Sequence, residues 1–126
     1  MPSGRLLLFI YNADSESLPK PNEMIRTAIP DKDECNLLAL TYSPIGMKKE
    51  WKRFIHDIGI PVRFLARDEF GTGFKNISTT FPIVFMQEGS SLFHFISTDE
   101  INRCRELDQL IGLIRERVTQ FGDKTA

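Results

Sequence analysis

The sequence predicts one α/β domain of the three-layer αβα class, in which a mixed sheet is built from a βαβαβ unit followed by ββα. Short apolar runs alternate along the chain with amphipathic stretches of helical spacing, which is typical of parallel strands joined by helices. The last two strand patterns are separated by a short turn containing glycine, which indicates a β-hairpin. The 126 residues match the size of a single domain, predicted over 1–126 with a frayed tail at 122–126.

Five strands are predicted from apolar runs. The first contains the unbroken run Leu6 to Tyr11, and its lack of alternation indicates burial on both faces of the sheet. The fourth strand alternates, with Phe81, Ile83 and Phe85 on one face. In chain order the predicted strands are 5–12, 36–42, 62–66, 80–87 and 92–96.

Three helices are predicted between and after these strands. The first lies between Pro21 and Pro30, because proline suits the first turn of a helix and ends a helix that it follows. The second spans 47–58 and has an apolar stripe with charged residues on its other faces. The third starts at a Ser-x-x-Glu capping box at 97–100 and extends to about residue 121.

The composition excludes several classes of function. Lys and Arg total 16 and Asp and Glu total 17, a net charge of −1, so the domain as a whole does not attract nucleic acid. The first apolar run, 6–11, is too short to span a bilayer or to form a signal-peptide core, which predicts a cytoplasmic protein with no membrane partner. The two histidines lack metal-binding spacing, and no metal or cofactor is expected.

The two cysteines, Cys35 and Cys104, are far apart and belong to no paired motif, which predicts free thiols. Cys104 falls on the apolar stripe of the last helix, where packing explains it. Cys35 follows Asp33 and Glu34, whose negative charges would raise the pKa of a thiol, so Cys35 is not expected to act as a nucleophile.

Pro82 interrupts a well-patterned strand, although proline removes a backbone donor there. Either the strand starts at this proline, or the Phe81–Pro82 peptide is cis. The run Thr-Phe-Pro-Ile-Val-Phe at 80–85 resembles the start of the cis-proline strand of thioredoxin-like proteins, in which this proline flanks the substrate site. The resemblance implies a redox pair just after the first strand, but 13–17 contains no cysteine. Dithiol oxidoreductase chemistry is therefore not expected.

A second resemblance covers nearly the whole chain. The segments 35–42, 49–52, 64–65, 68–70, 80–83 and 95–102 are similar to a family of small uncharacterised bacterial cytosolic proteins. Members of that family tend to carry a second cysteine where this chain has Leu38, so the C-x-x-C pair that would start at Cys35 is incomplete. The resemblance implies no established activity, and no metal or redox role for that pair.

Polar side chains follow the predicted strands and mark a candidate ligand site, because ligands of open α/β sheets bind beyond the carboxyl ends of the strands. Alternatively, these positions are polar only because strand ends and helix caps are polar in any such fold. The candidate ligand-binding residues are Asn12, Asp14, Ser15, Thr41 and Ser43, and the thioredoxin-like resemblance adds Pro82.

Three functions remain open. The first is a non-catalytic thioredoxin-like module that binds a protein or a small-molecule ligand, and a homo-oligomer also fits the pattern. The second is a small enzyme that uses the polar site, with Asp14 or Asp68 as general base. The third is a thiol-dependent redox protein acting through Cys35 and Cys104. The absent dithiol favours the first.

Overall fold

The structure, a computed structural model, describes residues 5–13, 32–43, 46–75 and 77–125. Those residues form a mixed α/β fold with a four-stranded sheet, a two-stranded sheet and five helices. The helix predicted between Pro21 and Pro30 lies outside the described residues, as do Asp14 and Ser15. The elements are β1 (Arg5–Ile10), α1 (Lys32–Thr41), β2 (Tyr42–Ser43), β3 (Gly46–Met47), α2 (Lys49–Asp57), β4 (Val62–Leu65), α3 (Arg67–Gly73), β5 (Ile83–Glu88), β6 (Ser91–Ile96), α4 (Thr98–Arg103) and α5 (Leu107–Thr125).

The strands of the larger sheet have the order β4-β1-β5-β6. β1 runs parallel to β4, with Leu7 opposite Val62, and antiparallel to β5, with Leu7 opposite Met86. β6 returns antiparallel to β5, as the hairpin pattern predicted. β1 therefore lies inside the sheet with a neighbour on each side. Its last four residues are all buried, which explains the unbroken apolar sequence.

The predicted βαβαβ unit, with its three parallel strands, is wrong, because residues 36–42 do not form a strand of the larger sheet. All but the last of them lie in α1, whose regular helical geometry starts after Cys35 (φ −153°, ψ 96°). The sequence Leu-Leu-Ala-Leu at 37–40 consists of strong helix formers and contains no β-branched residue, which favours a helix. Periodicity alone does not separate a helix from a strand in so short an apolar run.

The larger sheet separates two hydrophobic clusters. Leu7 and Phe9 of β1 face the larger cluster, together with buried side chains of α1, α2, α4 and α5. Leu8 and Ile10 face the smaller cluster, to which α3 contributes one buried aromatic ring, Phe70. Among the described elements, helices therefore cover both faces of the sheet, four on one side and one on the other.

The single C-terminal helix predicted from the sequence is divided into α4 and α5. The capping box is confirmed: Ser97 Oγ accepts a hydrogen bond from the Glu100 N–H (3.2 Å), and a Glu100 carboxylate oxygen accepts one from the Ser97 N–H (3.0 Å). α4 nevertheless ends at Arg103, because Cys104 has an extended backbone (φ −70°, ψ 129°). The second helix, α5, continues into 122–126, where a frayed tail was predicted.

The break between these helices is held by Asn36, a buried residue of α1. Its Nδ2 donates hydrogen bonds to the carbonyl oxygens of Ile101 (2.7 Å) and Cys104 (2.9 Å). The Ile101 carbonyl also accepts the Cys104 N–H (3.1 Å), so the amide is its second donor. The Cys104 carbonyl lies beyond the helix end, where carbonyls have no partner within the helix, and the amide pairs it. At the start of α5, Gln109 Oε1 accepts the backbone N–H of Arg105 (2.6 Å).

Glu100 also joins α4 to α5, because its carboxylate pairs with the Arg117 guanidinium. Arg117 Nη1 additionally donates to the Phe95 carbonyl in β6 (2.9 Å). Partial burial raises the pKa of Glu100, but the hydrogen bonds from Arg117 and Ser97 outweigh this effect and hold the pKa below its usual value of 4.5. A carboxylate with a lowered pKa stabilises the folded state above the unfolded-state pKa, and this stabilisation is lost as the pH falls through the folded-state pKa.

Replacing Glu100 with Gln should therefore lower the free energy of unfolding by roughly 1 kcal/mol at pH 7. The difference from wild type should shrink as the pH falls below 4.5, the usual pKa of the carboxyl. Urea denaturation at a series of pH values measures both quantities, with Glu116→Gln on the exposed surface of α5 as the control for loss of one charge. A difference that stays constant down to pH 3 would contradict the lowered pKa.

Candidate functional site

The carboxyl ends of the two parallel strands meet at one edge of the sheet. Tyr11, just after β1, donates its N–H to the Leu65 carbonyl at the end of β4 (2.9 Å), and Arg67 donates its N–H to the Ala13 carbonyl (2.9 Å). The Arg67 guanidinium also donates to Asn12 Oδ1 (3.0 Å). Residues that follow different strands are thus joined at the edge where open α/β sheets bind ligands.

The start of α1 adds a thiol to this edge. Cys35 Sγ accepts the backbone N–H of Asn12 (3.3 Å), and the cysteine is only 1% exposed. Burial raises the pKa of the Cys35 thiol, and nearby backbone N–H groups and the charge of Arg67 offset this only in part. A protonated thiol that is shielded from solvent is a poor nucleophile.

Sequence reasoning did not include Cys35 or Arg67 among the candidate site residues. The expected rise in the pKa of Cys35 is confirmed in direction, and burial raises it most. One signal did point to this cysteine, because the resemblance to the bacterial family singled it out as the first position of an incomplete C-x-x-C. No local pattern marked Arg67, which is 55 positions away from its partner Asn12.

Pro82 lies at the same end of the sheet. The Phe81–Pro82 peptide is cis, as one of the two alternatives proposed, and β5 starts at the next residue. In the antiparallel register Ile83 is opposite Ile10, so Pro82 lies level with the residues that follow β1. The strand-end site is defined here as Asn12, Cys35, Arg67 and Pro82.

Two predicted site residues lie elsewhere. Thr41 is the last residue of α1, is fully buried, and donates its hydroxyl to the Leu37 carbonyl (2.8 Å). Ser43 belongs to β2 and donates its hydroxyl to the Gly46 carbonyl across the short β2–β3 pairing (3.2 Å). Neither follows a strand of the larger sheet, because the segment 36–42, which was predicted as a strand, lies almost entirely in the helix α1. Asp68 does lie after β4, in the first turn of α3.

Two buried phenols lie close to the site. The rings of Tyr11 and Tyr42 meet edge to face, with their centroids 6.3 Å apart. Burial raises the pKa of both tyrosines, so neither phenol ionises at neutral pH. Thr41 and Tyr42 are near the Tyr11 hydroxyl, yet that hydroxyl makes no hydrogen bond of normal geometry with any described residue. The pair therefore contributes packing rather than acid–base chemistry.

The described part of the chain contains neither a metal-binding cluster nor a membrane-spanning helix. No group of three or more His, Cys, Asp and Glu there is placed to hold a metal ion. None of its helices is long and apolar enough to cross a membrane. No protein family, curated protein or solved structure matches the chain.

Proposed function

We propose that the chain is a thioredoxin-like domain that binds a protein or a small-molecule ligand and lacks dithiol exchange. The order of the elements supports the thioredoxin-like part. After β1 come the helices α1 and α2, which flank the short β2–β3 pair, then β4, α3, the β5–β6 hairpin and the helices α4 and α5. The proposed lack of dithiol exchange rests on Leu38, which lies three residues after Cys35 near the start of α1. A second cysteine there would complete a C-x-x-C pair.

Cys104 does not replace the missing thiol. Its Sγ contacts the Glu100 carbonyl (3.5 Å), whereas Cys35 Sγ contacts Asn12. Burial raises the pKa of Cys104, and the charge of Glu100 raises it further. Both cysteines are free and buried. Dithiol exchange needs a thiolate and a resolving thiol within reach, and these contacts favour neither.

We also infer membership of the family of small bacterial cytosolic proteins, and with it a cytoplasmic location, from the six segments that resemble that family. The helices on both faces of the larger sheet support a three-layer αβα arrangement. Binding would then take place at the strand-end site, where residues following β1 and β4 are joined to the start of α1.

Introducing a second cysteine with Leu38→Cys tests whether the absence of a C-x-x-C pair explains the proposed lack of dithiol exchange. We expect the oxidised variant to form a disulfide between Cys35 and the new thiol, and to accelerate the reduction of insulin by dithiothreitol. Wild type should not accelerate it. Leu38 is buried, so the substitution should lower the free energy of unfolding by roughly 2–3 kcal/mol, and circular dichroism must establish that the variant is folded.

The matched control is Leu37→Cys, because Leu37 is equally buried in α1 but gives a C-x-C spacing. This variant should remain reduced and inactive. Catalysis by wild type would contradict the proposed lack of dithiol exchange. A folded Leu38→Cys variant whose thiols stay unpaired under oxidising conditions would contradict the thioredoxin-like placement of the site.

The guanidinium of the exposed Arg67 suits an acidic group, so an acidic ligand is expected to bind at the strand-end site. We expect fragments from a library of carboxylic acids to shift the NMR signals of Asn12 and Arg67 in ¹⁵N-labelled protein. Arg67→Ala should weaken this binding about tenfold, the effect of losing one charge-assisted contact of ~1.4 kcal/mol. Arg63→Ala, an exposed arginine within β4, is the control. Shifts that map to another surface would refute the site.

A further inference from the structure

We draw no further inference here: the strongest candidate, the groove between α2 and α5 lined by Phe54, Ile111 and Gly112 together with three acidic and three basic side chains, carries nothing because no observation on the described residues shows what covers it.

Discussion

Replacing Asn36 with Asp should lower the free energy of unfolding by about 3–5 kcal/mol at pH 7, a large share of the stability of a single domain. The Asn36 amide donates to two carbonyl oxygens in a buried setting. A carboxylate at this position would face those oxygens with no donor, and its charge would be buried without a partner. The loss should be smaller near pH 4, because burial raises the pKa of the new carboxyl and its protonated form can donate one bond.

Urea denaturation followed by circular dichroism at pH 7 and pH 4 measures this change, with each value taken relative to wild type at the same pH. Asn36→Leu is the control, because it removes both hydrogen bonds without adding a charge. We expect it to be destabilised by roughly 2–4 kcal/mol at both pH values. An Asp variant as stable as wild type at pH 7 would mean that the amide does not hold the break between α4 and α5.

Replacing Trp51 with Ala should lower the free energy of unfolding by a similar amount, about 3–5 kcal/mol. Trp51 is fully buried on α2, and its ring contacts Phe9 edge to face with centroids 5.4 Å apart. It also packs against Phe54 and Phe64. Removing the indole would leave a cavity between α2 and the sheet, because the surrounding aromatic rings can collapse only in part.

Circular dichroism must report the unfolding of this variant, since Trp51 is the one tryptophan of the sequence. Phe93→Ala is the control for loss of an aromatic ring, because Phe93 is 44% exposed, and it should cost less than about 1 kcal/mol. The loss of unfolding free energy in Trp51→Phe should lie between the losses in Trp51→Ala and Phe93→Ala. Trp51→Phe loses volume but also removes an indole N–H that has no hydrogen-bond partner among the described residues. Equal losses for Trp51→Ala and Phe93→Ala would contradict the buried position of the indole.

Much of the fold follows from local patterns that the sequence displays directly. The unbroken run in β1, the β5–β6 hairpin and the capping box at Ser97 each depend on neighbouring residues, and the structure confirms all three. The error at 36–42 has a different origin, because four consecutive apolar residues satisfy a buried strand and a buried helix equally. The antiparallel pairing of β1 with β5 joins segments distant in sequence, which no local pattern specifies.

Some residues of the candidate site could likewise be predicted from local sequence, and others could not. Asn12 and Pro82 could be selected from the sequence, because one follows an apolar run and the other interrupts one. Thr41 and Ser43 were selected only through the misassigned strand. Arg67 reaches the site through parallel pairing of β1 and β4, and Cys35 through packing of α1 against the residues after β1. Both depend on tertiary contacts, which appear only once the sheet is assembled.

The position of β1 inside the sheet has a consequence for synthesis of the chain. Both of its neighbours, β4 and β5, lie far downstream in the sequence. β1 therefore leaves the ribosome as an apolar segment whose first partner, β4, follows more than 50 residues later and whose second, β5, follows more than 70 residues later. Closing such long loops slows folding more than forming local helices does. Until Ile83–Glu88 emerges, the exposed backbone of β1 is available to chaperones or to the same strand of another nascent chain.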